Sequence, residues 1–276
     1  MTDEEGRTAP TISVLMPAYN PGRFLEAAIR SAVDQLGPHD ELVVQDANSD
    51  DGSVAVFAAW AAADPRVRVV HEKDDGQSDA LNRCLARARG QWCVWLNADD
   101  VLVGGALDAV RAAVSNRQEL DLVVGANQIL RAEGDVVDDY PGHELTRSHL
   151  VGKGCAAFSG SIAMRTEFLR QVGGFDARLN TMMDLELQLR MADAHPRQVV
   201  LDRVIGALRF HEVSKSANLW REFVSESHEV RMAHADTPTL KASALLCTGM
   251  HLAAVPIFRL RLSPAYRAVR KSVVRR

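Results

Sequence analysis

The sequence is poor in cysteine. It has four in 276 residues, Cys84, Cys93, Cys155 and Cys247. No two are spaced C-x-x-C, which argues against a zinc knuckle or a redox dithiol and suits a reduced, cytoplasmic setting. Aromatic residues make up only 5% of the chain, and no stacking platform accompanies its basic residues, so nucleic acid is not the expected partner. The longest apolar run, "ALLCTGMHLAAVPIF" at 244–258, is too short and too interrupted to span a bilayer. The opening "MTDEEGRTAP" is acidic and polar, and over residues 1–10 it reads as a loose tail rather than a signal peptide. The G-x-G-x-x-G fingerprint is missing after the first strand, where Pro17-Ala18-Tyr19-Asn20 stands instead, and there is no P-loop. Both gaps argue against a dinucleotide-dependent oxidoreductase, the first rival for a chain that opens with strand and helix in alternation.

What is present is an ordinary globular composition, 47% hydrophobic and 25% charged, with length for one large domain or a domain with an appendage. The net charge of −4 conceals an asymmetry. The last 18 residues, "RLRLSPAYRAVRKSVVRR", carry seven Arg/Lys and no acid, leaving 25 basic against 36 acidic residues elsewhere. A basic tail on an acidic body points to an anionic surface as a partner.

Strand patterns recur at 12–20, 41–46, 67–72, 91–96 and 120–127, with helical spacing at 23–36, 54–63, 78–90 and 105–116. The first strand is expected to stop at Pro17, and Gly90 to cap the helix before it. This rhythm is that of βαβ units on a mostly parallel sheet. The second half reads as strand, helix and Gly-Gly turn over 161–176, a helix at 183–195 and a strand at 203–211; from 217 onward the pattern is helical.

Ligands of open α/β sheets bind at the carboxyl ends of strands. The unusual residues fall there: Pro17, Ala18, Tyr19 and Asn20 after the first strand, Asp46 after the second, and "NADD" (Asn97, Ala98, Asp99, Asp100) after the fourth. Adjacent carboxylates at the mouth of an apolar strand repel each other and resist losing water. On its own, "NADD" would also serve as a solvated helix cap.

Together these stretches resemble the family 2 glycosyltransferases, which have the GT-A fold. "SVLMPAYNPGRFLEAAIRSAVDQ" is similar to the family's opening, and "LVVQDANSDDGS" to its V-x-D-x-x-S-x-D-G-[ST] strand. "EKDDGQSDALNRCLARARG" resembles its D-x-G-x-x-D-A-x-N segment, and "LNADD" sits at its D-x-D motif. "VGGFDARLNTMMDLELQLR" resembles its acceptor-side segment. The likeness covers about residues 11–211. It implies a GT-A catalytic domain over 11–215, with a nucleotide-sugar half (11–127) and an acceptor half (128–215). A helical, basic extension occupies 216–276.

The implied activity is transfer of a sugar from a nucleoside diphosphate to an acceptor hydroxyl, with inversion, in cell-envelope polysaccharide or glycolipid synthesis. The implied acceptor is a carbohydrate or lipid-linked molecule. The alternative is an inactive sugar-nucleotide-binding or membrane-scaffold protein. A divalent cation, Mn²⁺ or Mg²⁺, would bridge the diphosphate and Asp99, with Asp100 acting through water and His211 nearby. The first position of the D-x-D motif is here Asn97. Asp46 matches the residue that reads the nucleobase. A carboxylate only accepts hydrogen bonds, so uracil, thymine or guanine suits it, and cytosine does not. "DANSDDGS" is equally rich in turn formers, so an Asx-turn role stays open. Asp79 and Asn82, three apart on a helix, match the rim of the donor pocket; Asp79 also suits a helix cap. Asp184 matches the general base, compatible with an N-cap before "LELQLR". Met183 stands beside it where the family shows Glu-Asp or a small residue. Ser159, Gly160 and Ser161 match the sugar–acceptor junction. The apolar and basic segment 240–276 suits the inner face of the cytoplasmic membrane, or else packs as an ordinary helix pair.

Overall fold

The computed structural model describes residues 11–211 and 219–262; the N-terminal tail and the basic stretch from Ser263 onward lie outside the described residues. The first half alternates strand and helix: β1 (Ile12–Ala18), α1 (Leu25–Val33), β2 (Glu41–Asp46), α2 (Ser53–Ala63), β3 (Val67–His71), α3 (Gln77–Arg87), β4 (Trp92–Trp95), β5 (Val101–Leu102) and α4 (Ala106–Val114). The second half holds β6 (Leu122–Arg131), β7 (Val136–Tyr140), α5 (Arg147–Gly152), β8 (Ile162–Arg165), α6 (Thr166–Gln171), α7 (Met183–Asp193) and β9 (Gln198–Phe210). Helices α8 (Trp220–His234) and α9 (Pro238–Leu262) close the described chain.

One sheet runs β3-β2-β1-β4-β8-β6-β9-β5, with β7 paired to β6 off that path. The strands β3, β2, β1 and β4 are parallel neighbours. The second half joins them through antiparallel β8, so the sheet is mixed. β1 and β2 are buried at every position, which is why they read as near-continuous apolar runs. In α1 the buried residues are Leu25, Ala28, Ile29, Ala32 and Val33, a helical stripe turned to the sheet. One core cluster lies with α1 and α4, and the other with α3, α6 and α7.

Two local expectations change. β1 runs through Pro17 to Ala18 because its pairing with β4 ends at Leu15; beyond that point the missing N–H costs no ladder bond on that side. Gly90 is not the cap of α3, whose last turn ends at Ala88 in extended backbone. Gly90 is needed because β1 passes too close: a Cβ there would lie 2.5 Å from the Ser13 nitrogen. Asn82 has a similar structural office. Its amide accepts from the Phe175 N–H at 2.9 Å and donates to the Phe175 carbonyl at 2.8 Å, docking the Gly173-Gly174 turn onto α3.

Helices α8 and α9 pack on the domain. The buried Arg231 guanidinium donates to the carbonyls of Leu150 and Val151 at the end of α5. His234 meets Asp193 at 2.7 Å, and the Cys247 thiol donates to the Gly152 carbonyl at 2.9 Å. On α9, Ala244 and Cys247 are buried, whereas Leu245, Leu246, Met250 and Leu252 are exposed. No described helix is long and apolar enough to cross a membrane.

Candidate active site

A cavity of about 960 Å³ opens at the carboxyl ends of β1, β3 and β4, within the size range of small-molecule sites. Pro17, Ala18, Tyr19 and Asn20 line it from β1, Lys73, Asp74, Gly76 and Gln77 from the loop after β3, and Asn97 to Asp100 from the loop after β4. Asn180 to Asp184 face it from the start of α7, and Leu208 to His211 from the end of β9. The strand ends are tied to each other before any ligand arrives. Asn20 exchanges hydrogen bonds with Asp50, each 2.9 Å, and its N–H donates to the Ser49 hydroxyl.

The "NADD" loop is a closed network. The Asn97 side-chain oxygen accepts from Trp95 Nε1 at 2.7 Å and from Gln77 Nε2 at 2.8 Å, and its amide donates to Asp100 at 2.8 Å. The other Asp100 oxygen accepts the Arg209 backbone N–H at 2.7 Å. Asp100 is buried, and burial first, then the neighbouring Asp99 charge, push its carboxyl up to about 8. Asp100 therefore fastens β9 to the loop after β4, and both of its oxygens are engaged. Asp99 differs. Its carboxylate is a third exposed and lies 3.0 Å from His211 Nε2. His211 stacks on Phe24 with ring centroids 4.6 Å apart, and the Arg209 guanidinium lies over the same ring.

Among the described residues, no group of three or more His, Cys, Asp or Glu side chains could hold a metal ion alone. Asp99 and His211 still suit a cation that takes its remaining ligands from phosphate and water. The Asp99 carboxylate is a third exposed, and the Asp99–Asp100 repulsion is the kind a cation relieves. Asp100 also lines the cavity, with each of its oxygens accepting one hydrogen bond from the protein.

Asp184 lies in the first turn of α7, not at its cap, which is Met182. Its carboxylate accepts the Leu185 N–H at 2.7 Å. Burial raises its pKa, while the Leu185 N–H and the Cys155 thiol partly offset that.

Five expected residues do not reach the cavity. Asp46 is fully buried: Ser49 Oγ donates to one oxygen at 2.5 Å, and the other pairs with the Ser49 N–H and His71 Nδ1. The turn role left open by the sequence is the one its contacts make. Asp79 pairs with Arg83 at 2.9 Å, and Gly76 rather than Asp79 caps α3; Asn82 holds the Phe175 backbone. Of Ser159, Gly160 and Ser161, only Ser159 lines the cavity. Gly160 is pressed against Gly206, and Ser161 Oγ accepts the Gly206 N–H. Sequence reading missed Asp74. It lines the cavity, its buried Oδ2 meets no donor among the described residues, and burial raises its pKa. Its signal was its place at the head of "DDGQSDALN", where a second carboxylate follows a strand end.

Comparison with known proteins is consistent across sequence and structure. Residues 13–166 match the family described as glycosyl transferase family 2. Over 92 residues the chain is 35% identical to the Bacillus subtilis (strain 168) glycosyltransferase TuaG, whose name assigns it provisionally to teichuronic acid biosynthesis; this covers 33% of the chain and 36% of that protein. It is 22% identical to a Pasteurella multocida hyaluronan synthase over 208 residues, 74% of the chain and 21% of the synthase. The chain thus spans well under half the length of these curated relatives. Among solved structures, S. aureus TarS 1–349 with UDP-GlcNAc superposes with a TM-score of 0.66 at 17% identity, covering 92% of this chain and 74% of TarS. The Pyrobaculum calidifontis mannosyltransferase PcManGT, solved with GDP-Man and Mn2+, superposes with a TM-score of 0.57 at 19% identity, covering 95% and 83%. These likenesses show the fold, the GT-A architecture that the motifs implied.

The Asp100 carboxyl has a signed consequence. The fold holds a proton up to about pH 8 that the unfolded chain releases near its ordinary 3.8. Stability of metal-free protein therefore falls as pH rises between those values. Asp100→Asn has no such proton and should lack that part of the slope. Denaturant midpoints in chelator between about pH 5 and about pH 8 check this; equal slopes in both proteins would contradict it.

Proposed function

The chain belongs to glycosyl transferase family 2, and on that premise we propose that it moves a sugar from a UDP, dTDP or GDP donor to an acceptor hydroxyl with inversion. The observation that carries this reading is the single cavity in which the β1, β3 and β4 strand ends face the first turn of α7. Nucleotide-side residues and a carboxylate of raised pKa share one space. The neighbours' ligands, UDP-GlcNAc and GDP-Man, support the donor class.

In this reading the donor lies along Pro17 to Asn20 and Asn97 to Asp99. Asp46 fixes the β2 turn, and Asp74 supplies an acceptor oxygen for a nucleotide N–H or O–H. Asp99 and His211 would hold a divalent cation, Mn²⁺ or Mg²⁺, whose chemistry is to neutralise charge on the leaving diphosphate. Asp184 takes the proton of the attacking acceptor hydroxyl. Its raised pKa suits a general base, because a more basic carboxylate holds that proton better. A single base on the face opposite the leaving group gives single displacement, hence inversion.

A carbohydrate or lipid-linked acceptor in cell-envelope synthesis is supported by the polysaccharide roles in the relatives' names. The exposed apolar face of α9, followed in sequence by basic residues, supports peripheral contact with an anionic membrane. The domain limits 11–215 and 216–276 remain part of this reading, with the second unit serving both packing and membrane contact.

Three measurements follow. Asp184→Asn should keep donor affinity and lower transfer by roughly 10²–10⁴-fold, and product NMR should show the inverted anomer; a retained configuration would remove the single-displacement mechanism. Asp99→Asn should abolish the metal dependence of donor binding in calorimetry; an unchanged metal-dependent affinity argues against the cation site. The full chain should co-sediment with anionic vesicles at low salt and less at physiological salt, and a chain ending at Ala235 should not. Supernatant recovery of both chains counts against membrane contact.

A further inference from the structure

The start of α7 has no cap of its own: Met182 makes no side-chain capping bond. The turn that enters the helix is held from another element, by Glu226 of α8. Its Oε1 accepts the Asn180 N–H at 3.0 Å, and its Oε2 accepts the Thr181 N–H and hydroxyl at 2.8 Å each and the Met182 N–H at 2.9 Å. Three successive backbone N–H groups thus converge on one carboxylate. One turn earlier on α8, Glu222 accepts from the Asn180 side-chain amide at 2.9 Å. Phe223, between them in sequence, lines the cavity.

We propose that Glu226 is a positioning residue for the candidate base, setting the height and direction of the first turn of α7 and with it Asp184. The inference rests on reading Asp184 as the base, and it makes α8 a working part of the site rather than an appendage. Hydrogen bonds to an ionised acceptor are the stronger kind. The segment they fix, Asn180 to Met182, is the wall of the cavity and is followed at once by Met183 and Asp184. The four donors hold Glu226 ionised, with its pKa below the ordinary carboxylate value despite partial burial. α8 is itself anchored independently through Arg231 and His234, so the carboxylate is presented from a fixed support. Catalysis by a base tolerates little displacement; a misplacement of about 1 Å can cost about 10²-fold. A neutral amide at 226 can accept with only one oxygen, so the three-way N–H clamp cannot be reproduced.

The test uses the full chain with Glu226→Gln and Glu226→Asp, alone and combined with Asp184→Asn. Turnover is read as nucleoside diphosphate release from whichever UDP-, dTDP- or GDP-sugar the native protein turns over, with water as acceptor where no other is known. Glu226→Gln should lower kcat about 10–100-fold while donor affinity by calorimetry stays within about twofold. Glu226→Asp should recover part of the loss. In the Asp184→Asn background Glu226→Gln should cost nothing further, because the two act as one unit. Independently of turnover, hydrogen exchange at amides 180–187 should accelerate in folded Glu226→Gln. Unchanged kcat, equal losses in both backgrounds, or unchanged exchange would each overturn the proposal. If Asp184→Asn itself retains full turnover, the base assignment fails first, and that outcome is distinct from an inactive Asp184→Asn beside a fully active Glu226→Gln.

Discussion

The arrangement of the site depends on one buried carboxylate. Asp100 accepts the Arg209 N–H with one oxygen and the Asn97 amide with the other. This bond joins the loop after β4, in the parallel half of the sheet, to the end of β9, 109 residues later in sequence. It adds to the β6 pairing that runs to Phe210 and to the two-residue contact with β5, and it brings the end of β9, with His211, against the loop that carries Asp99. The cost is a carboxyl that is both buried and next to a like charge. Its raised pKa reports that cost, and the Asn97 substitution in the D-x-D motif limits it. An amide at 97 donates to Asp100, where a carboxylate would add a third negative charge.

The opposite wall is built differently. α7 carries Asp184 in its first turn, and the carboxylates of α8 complete that turn. The parallel strand ends make their part of the cavity from loops that sheet pairing brings side by side. The α7 wall joins segments more than 40 residues apart, held by charge-assisted hydrogen bonds rather than by sheet pairing.

Much of this was legible in the chain. The alternation of apolar strands and amphipathic helices gave the α/β class, and turn-rich clusters after β1 and β4 marked the cavity, because a parallel sheet places all of its strand ends on one side. The segments "LNADD" and "MMDLELQLR" carried their residues to that cavity. Asp79 and Asn82 did not follow. Helical spacing puts them on one face, but spacing does not say what that face meets, and Arg83 and the Phe175 backbone claimed them. Asp46 was placed at the correct strand end but buried in its own turn. β5, β7 and α5 are short or polar, with too little periodicity to be seen.

The sequence by itself determined the class of fold, the order of its elements and the residues that end the parallel strands, since periodicity and turn chemistry are local properties of the chain. Only the tertiary structure decided which carboxylates are spent and which are available. Asp46 and Asp79 are held by partners away from the cavity, whereas Asp74, Asp99, Asp100 and Asp184 line it. It alone showed that Glu226 holds the turn entering α7. The physical reason is that a carboxylate's role depends on the donors around it, and those donors come from residues tens of positions away that no local pattern names.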